Sequence, residues 1–509
     1  MRASLFLAGF LLGSPALGQD VALETKPTRW RIGFETLDAP GAAHIGLVGI
    51  HHDLLAPWKG FRPLYLGLGG YAAVGGDEGG FYLGGITLGT LYRLLPEWYL
   101  DAGVFLGGGG GGGVPGGGLA LRPFVALERA LGLVALRAEL TGLDLDEFDG
   151  DLHLALGISL PSELLLARPV RRVREIPATS RVERQVRVAP RYLWIDPQDA
   201  TARNGSVLDR HLSLVGLGVD YFVTPHLFLP VEAYGATGGD VAGFGLVSAG
   251  LGVSAPLSDF LALEGKVLVG AGGGGDVDTG GGFLWQAFGG VRAHLSPRLS
   301  LDVSGGRIEF ADQAFGGTAV SVGLAWSARP IELAFDYPRG NLAREGLAEE
   351  SAAISTTRVG LLCKFYRPSD RARTTAGDDL EPTLALLGLG AEHGLGGGLV
   401  FTARGFTGVE DEVGGYAEGW LGAKLELRPH GVEHHAFYVG GEFGAGGGGG
   451  LDVGSGLLGH AYVGWRGDLF ERSFVTVELG RAEADHGSFE AGSASVGFGW
   501  SLARAVGRF

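Results

Sequence analysis

Segments of about ten residues, in which apolar positions alternate with small or polar ones, follow one another along most of this chain. In the segment that begins at Trp98, Leu100 and Val104 fall on one side of an extended strand, whereas Asp101 and Gly103 fall on the other. Such alternation is typical of β-strands with one apolar face. The other face is rich in glycine and alanine, while the water-facing side of a soluble sheet is usually richer in charged residues. The pattern therefore favours strands that cross a membrane.

The strand pattern is repeated three times. Each copy contains a glycine run between two alternating segments, at 107–113, 272–275 and 446–450. Each copy predicts eight strands, so we expect an all-β fold of about 24 antiparallel strands in up-and-down order. The glycine run is then the hairpin between the fifth and sixth strands of each copy.

The repeats and the N-terminus together define the expected domains. Arg2, the apolar stretch 5–12 and the small residues at 16–18 are typical of a secretory signal peptide. We predict a signal peptide at 1–18, repeat 1 at 29–160, a linker at 161–190, repeat 2 at 191–327, a linker at 328–355 and repeat 3 at 356–509.

These features resemble bacterial outer-membrane β-barrel proteins, and each repeat resembles the eight-stranded OmpA/OmpX type. Aromatic residues collect at one set of predicted strand ends, which indicates an aromatic girdle: Trp30, Trp98, Trp194, Trp326, Trp465 and Trp500. The chain also ends on an aromatic, Phe509, although its parity is that of the lumen side. The resemblance implies a bacterial outer-membrane location, contact with outer-membrane lipid and lipopolysaccharide, and insertion by the barrel-assembly machinery.

The repeats permit more than one architecture. We favour three tandem barrels, because the predicted linkers are much longer than the turns of a continuous meander. The alternative is a single pore of about 24 strands, which would serve passive transport. A weaker alternative is a secreted, soluble all-β repeat protein.

Charged and polar residues recur on the predicted lumen face of strands five, six and seven of each repeat. Neighbouring strands lie about 4.8 Å apart, so we expect an acid, a base or amide, and a second acid to form one contact network per barrel. Paired charges of this kind would fill a narrow lumen rather than perform catalysis. The predicted network consists of Asp101, Arg122, Glu139, Glu264, Lys266, Gln286, Asp302, Glu442, His460 and Glu478.

Composition narrows the possible functions further. The formal net charge of −16 makes nucleic acid an unexpected partner. The glycine runs are not followed by the Lys-Ser or Lys-Thr of a phosphate-binding loop. We therefore predict no catalytic residue, cofactor or metal, and the ligand stays unknown. The expected function is that of a non-enzymatic outer-membrane protein with packed lumens, which has a structural or surface-interaction role.

Overall fold

The computed structural model describes most of the chain. It covers residues 21–507, apart from 39–43, 56–63, 77, 113, 115–116, 133, 146–147, 150–151, 170–180, 184, 199, 209, 312–314, 329–330, 334–351, 381–382, 411–413, 430–433 and 470–472. The predicted signal peptide and Phe509 lie outside these residues. Among the described residues, no helix is both long enough and apolar enough to cross a membrane.

Unit 1 is a closed antiparallel barrel of eight strands, with the short pair β8 (Asp144–Leu145) and β9 (Phe148–Asp149) beside it. Its last strand pairs with its first, with Gly33 opposite Gly157. The barrel strands are β1 (Val21–Leu37), β2 (Ile45–Leu55), β3 (Leu64–Gly75), β4 (Tyr82–Leu95), β5 (Trp98–Gly110), β6 (Gly117–Leu131), β7 (Val134–Thr141) and β10 (His153–Pro169).

Unit 2 closes in the same way, with Leu193 opposite Ser321. Its strands are β12 (Val186–Gln198), β13 (Leu212–Phe222), β14 (Leu227–Gly238), β15 (Gly245–Pro256), β16 (Leu261–Gly273), β17 (Phe283–His294), β18 (Leu299–Phe310) and β19 (Gly316–Ala328). Next to this barrel in the chain, β11 (Arg181–Glu183) pairs with β20 (Ile331–Leu333).

Unit 3 is the third closed barrel, with Gly360 opposite Gly499. Its strands are β21 (Ala352–Pro368), β22 (Leu384–Gly396), β23 (Leu399–Gly408), β24 (Ala417–Leu427), β25 (His435–Gly447), β26 (Leu457–Asp468), β27 (Ser473–Ala484) and β28 (Glu490–Gly507). Because the sheet closes three times, the predicted all-β fold is confirmed, with three small barrels rather than one large barrel.

The ends of the units differ from the predicted boundaries. β1 begins at Val21 and β10 continues to Pro169, so the predicted linker 161–190 overlaps a barrel strand. Val21 pairs with Pro169, and the paired segments continue past the barrel rim because each satisfies the backbone hydrogen bonds of the other. Similarly, β12 begins before the predicted start of repeat 2, and β21 before that of repeat 3.

Each barrel has a turn end, which carries the short turns, and a loop end, which carries the hairpins between strands one and two, three and four, five and six, and seven and eight. The predicted aromatic girdle has one exception. Trp194 packs against His211 at the loop end, because it pairs with Ser213, the second residue of β13. Trp30, by contrast, stacks on His52 near the turn end.

The loop half of each lumen is filled by an apolar cluster. The glycine hairpin contributes apolar side chains to each cluster: Val114 in unit 1, Val277 in unit 2, and Leu451 and Val453 in unit 3. The same backbone hydrogen bond closes the turn in all three hairpins. The N–H of Val114, Val277 or Leu451 donates to the carbonyl of the glycine three positions earlier (3.2, 3.1 and 3.2 Å). The hairpin thus caps the lumen with an apolar residue.

The same hairpins join the three units into a ring. The hairpin between strands three and four of each unit packs against the glycine hairpin of the next unit, and unit 3 returns to unit 1. Gly79 of unit 1 donates its N–H to the carbonyl of Gly280 in unit 2 (2.7 Å). Gly243 of unit 2 lies against Gly448 of unit 3. Such a head-to-tail contact that closes on itself yields a ring rather than a fibre.

Candidate functional site

The turn half of each lumen is a buried network of ion pairs, and one pair recurs in all three units. An arginine on the first strand lies opposite an acid on the second, as in Arg29 and Asp53. Their side chains are 2.7 Å apart and are buried. The equivalent pairs are Arg187–Asp220 at 3.1 Å and Arg358–Glu392 at 3.4 Å.

In unit 1, two arginines together hold two carboxylates. Arg29 contacts Asp101 at 2.6 Å and Glu128 at 3.0 Å. Arg137 contacts the same two carboxylates, both at 2.5 Å. Asp101 also accepts a hydrogen bond from the Tyr65 hydroxyl (2.8 Å). The fully buried Asp101 is therefore neutralised by two cations.

A second cluster in unit 1 surrounds Arg122, which is 1% exposed. Its guanidinium forms ion pairs with Glu35 and with Glu139, the latter at 2.6 Å. Glu139 is also paired with Arg137, which links the two clusters. Without Arg122, the buried Glu35 would keep the imidazole of His153, at 3.4 Å, as its ion-pair partner among the described residues, and a buried carboxylate that loses a guanidinium is costly.

In unit 2, Glu264 and Lys266 have different partners although both lie on β16. Glu264 is held by Arg187 at 2.6 Å and by Arg292 at 2.7 Å. Lys266 forms an ion pair with Glu232 of β14 instead of with Glu264. Glu264 and Lys266, which are two residues apart on β16, thus belong to separate ion pairs.

The other two predicted residues of unit 2 also lie in the lumen. Asp302 pairs with Arg191 at 2.8 Å. Gln286 donates from its amide to the hydroxyl of Ser248 (3.3 Å) and contacts neither predicted acid. The predicted acid–amide–acid contact is absent among the described residues of this unit.

In unit 3, Arg404 joins Glu442 and Glu478, at 3.2 and 2.6 Å. The imidazole of His460 is within 3.3 Å of Glu442 through one nitrogen, and within 2.9 Å of the Ser493 hydroxyl through the other. Both ring nitrogens therefore have partners inside the barrel.

The pairing register explains why the predicted groups of three do not form. Asp101 and Glu139 both pair with Ala126 across neighbouring strands, whereas Arg122 pairs with Phe105. The separation of four residues is about 13 Å along a strand, which is too far for Asp101 to reach Arg122. Arg122 and Glu139 still meet because both side chains are long.

The register also corrects two of the predicted equivalences. Glu442 lies directly opposite His460. The residue opposite Arg122, the equivalent of His460, is Phe105, so Asp101 lies four residues before the position that matches Glu442. On the seventh strand, the position equivalent to Glu139 and Glu478 is occupied in unit 2 by Ser304, and Asp302 is two residues earlier.

Many residues of the networks were missed by the sequence analysis, mainly on the first two strands. Period-two parity would have found them, since Arg29, Arg31 and Glu35 share the lumen side of β1. The missed residues are Arg29, Arg31, Glu35, Asp53, Glu128, Arg137, Arg187, Arg191, Asp220, Arg292, Arg358, Lys364, Glu392, Glu418, Lys424, Glu426 and Arg466.

Two small cavities lie inside the barrels. A cavity of about 20 Å³ lies in the lumen of unit 2, and one of about 30 Å³ lies in that of unit 1. A single water molecule needs roughly 10–15 Å³ of such space. Cavities of this size hold one or two waters and exclude sugars, nucleotides and other metabolites.

The barrels are charged inside and apolar outside. The outward-facing Val125, Leu154 and Val496 are each more than half exposed, whereas the charges lie in the lumen. A soluble barrel has the opposite arrangement, because its apolar side chains fill the core. The fold and the lumens thus define a membrane-spanning β-barrel protein.

Comparison with known proteins adds solved structures of low similarity. A de novo designed transmembrane β-barrel is 19% identical over 28% of this chain and 94% of its own, with a TM-score of 0.20. OpdL of Pseudomonas aeruginosa is 11% identical over 95% of this chain and 99% of its own (TM-score 0.22). OccK2 (OpdF) of the same organism, in complex with glucuronate, is 13% identical over 94% and 98% (TM-score 0.24). No family model and no curated protein matches the chain.

Proposed function

We propose that this protein is a non-enzymatic, integral protein of the bacterial outer membrane with sealed lumens and a structural or surface-interaction role. One observation carries the proposal: every lumen is blocked twice, by an apolar cluster at the loop end and by an ion-pair network at the turn end. Barrels of eight strands are just wide enough for side chains to fill them.

The outer-membrane location follows from the physics of the wall. Closed barrels satisfy every backbone hydrogen bond without water, which the hydrocarbon core requires. An even number of antiparallel strands per barrel and an apolar outer face are typical of outer-membrane barrels. The partners we propose are therefore outer-membrane lipid, lipopolysaccharide at the loop end, and the barrel-assembly machinery during insertion.

The ring gives the proposed role a physical basis. Three barrels joined at the loop end present their hairpins as one continuous platform rather than as three separate tips. Such a platform is held in place without using the lumens. We therefore assign the role to the ring and its external loops.

Passive transport is the second candidate function. The similar solved structures do not decide between the two functions, because their TM-scores are only 0.20 to 0.24. A solute path through any of the three lumens would have to displace both the apolar cluster and the ion pairs.

Conductance in a planar lipid bilayer tests the proposal. The full chain is inserted, and correct folding is checked by the change in gel mobility on heating. We expect a folded, membrane-inserted protein without conductance steps. Large, stable steps from folded protein would overturn the sealed-lumen proposal and support passive transport. Recovery of the native protein from the soluble fraction of cells would overturn the membrane location.

A further inference from the structure

The cavity of unit 2 lies where this unit differs from the other two. Units 1 and 3 have a glutamate at the same lumen position of the seventh strand, Glu139 and Glu478, and unit 2 has Ser304. Ser304 lines the cavity of about 20 Å³. Serine is much shorter than glutamate; in unit 1, Glu139 at the equivalent position lines the cavity of about 30 Å³.

Units 2 and 3 also differ in the charge of one lumen residue on the third strand. In unit 3, Glu478 is paired with Arg404 at 2.6 Å. The equivalent of Arg404 in unit 2 is Glu232, since the two occupy the same register position opposite Gly390 and Gly218. A glutamate at position 304 would therefore have no third-strand arginine to pair with at this position. Ser304 carries no charge that needs such a partner.

The walls of the cavity carry polar atoms with unused hydrogen-bonding capacity. Asp220 Oδ1, Ser304 Oγ and Arg191 Nε are buried and have no hydrogen-bond partner among the described protein atoms. All three residues line the cavity. Together they offer a carboxylate acceptor, a guanidinium donor and a hydroxyl that can do either.

We propose that this cavity is a binding site for one buried water molecule, which satisfies the unused hydrogen-bonding groups of Asp220, Ser304 and Arg191. The water donates to Asp220 and to Ser304 and accepts from Arg191. These are about three hydrogen bonds, the usual number for a buried water. The volume admits one water and excludes larger ligands. The inference does not depend on the proposed function, because it rests only on the interior of the barrel.

A crystal structure of the full chain at about 2 Å or better tests the proposal, together with the variants S304V and S213V. Ser304→Val fills the cavity with methyl groups, whereas Ser213 lies at the loop end of β13, away from the cavity. We expect one density peak about 2.6–3.2 Å from Asp220 Oδ1 in the native chain and in S213V, and none in S304V.

Three results would overturn the proposal. The first is an empty cavity in the native chain. The second is a cation there, recognised by several oxygen contacts of about 2.3–2.6 Å. The third is a water that persists in S304V. If S304V does not fold, the native density alone decides.

Discussion

The backbone N–H of Gly415 in unit 3 donates a hydrogen bond to the carbonyl of Gly109 in unit 1, at 3.2 Å. This contact joins the third repeat to the first and closes the ring. Equivalent glycines meet between units 1 and 2 and between units 2 and 3. The glycine runs therefore allow the backbones of neighbouring barrels to approach closely.

Gly281→Ala should weaken the ring. A Cβ at Gly281 would lie 2.6 Å from the Gly75 Cα of unit 1, and the backbone of Gly281 needs no unusual φ. Overpacking of this kind costs about 1–3 kcal/mol. The control is Gly289→Ala in the same unit, where a Cβ meets nothing within 4 Å. Thermal unfolding in detergent should show a lower Tm for G281A only; equal Tm values would contradict the close contact.

Arg122→Ala should destabilise unit 1 strongly, because Glu35 and Glu139 would lose a buried cation. Breaking a buried ion pair costs about 3–5 kcal/mol. The control is Arg129→Ala, since Arg129 lies on the same strand but is exposed over Trp98. The temperature at which heating changes the gel mobility should fall for R122A, and an unchanged temperature would argue against the network.

Leu451→Ala should open a cavity in the cap of unit 3. Leu451 is 3% exposed within the apolar cluster, and such truncations cost about 2–5 kcal/mol. Leu479→Ala removes the same atoms from the outer face of the same unit, where the side chain is 61% exposed. Urea unfolding should separate the two variants, whereas equal losses would mean that the cap contributes no more than the outer wall.

Arg203→Ala should loosen the contact between units 1 and 2. The Arg203 guanidinium, from unit 2, donates to the carbonyls of Gly112 (2.8 Å) and Gly79 (2.9 Å) in unit 1. Hydrogen bonds from a charged group contribute about 1.5–3 kcal/mol when buried, and Arg203 is partly exposed, so we expect a loss near 1 kcal/mol. Distances between spin labels on the loop ends of the two units should broaden. The exposed Arg210 provides the control variant, Arg210→Ala, and broadening in both would contradict a specific role.

Val125→Arg and Leu131→Arg test the membrane position. Both side chains face outward from β6 and are about half exposed, but Val125 lies midway along the strand and Leu131 at its turn end. An arginine costs about 2–4 kcal/mol at the bilayer midplane and 0–1 near its edge. The yield of folded protein in lipid vesicles should fall for V125R alone. A soluble barrel would tolerate both equally.

Strand parity predicted which side chains enter the lumen, but it could not pair them. Alternation placed Asp101 and Arg122 on the inner side of their strands, and both are buried. Whether they meet depends on the register, which puts Arg122 level with Phe105 instead. Register is set by the turns and by the alignment of the apolar faces of neighbouring strands, so a single strand does not reveal it.

By itself the sequence determined the all-β class, the threefold repeat, the inner and outer faces and the place of the glycine hairpins, because these follow from local alternation and length. Only the tertiary structure decided how many barrels form, which acid each arginine holds, and that Gly109 meets Gly415. These depend on which strand ends pair and on how closed barrels fit together. The physical reason is that both are contacts between residues far apart in the chain.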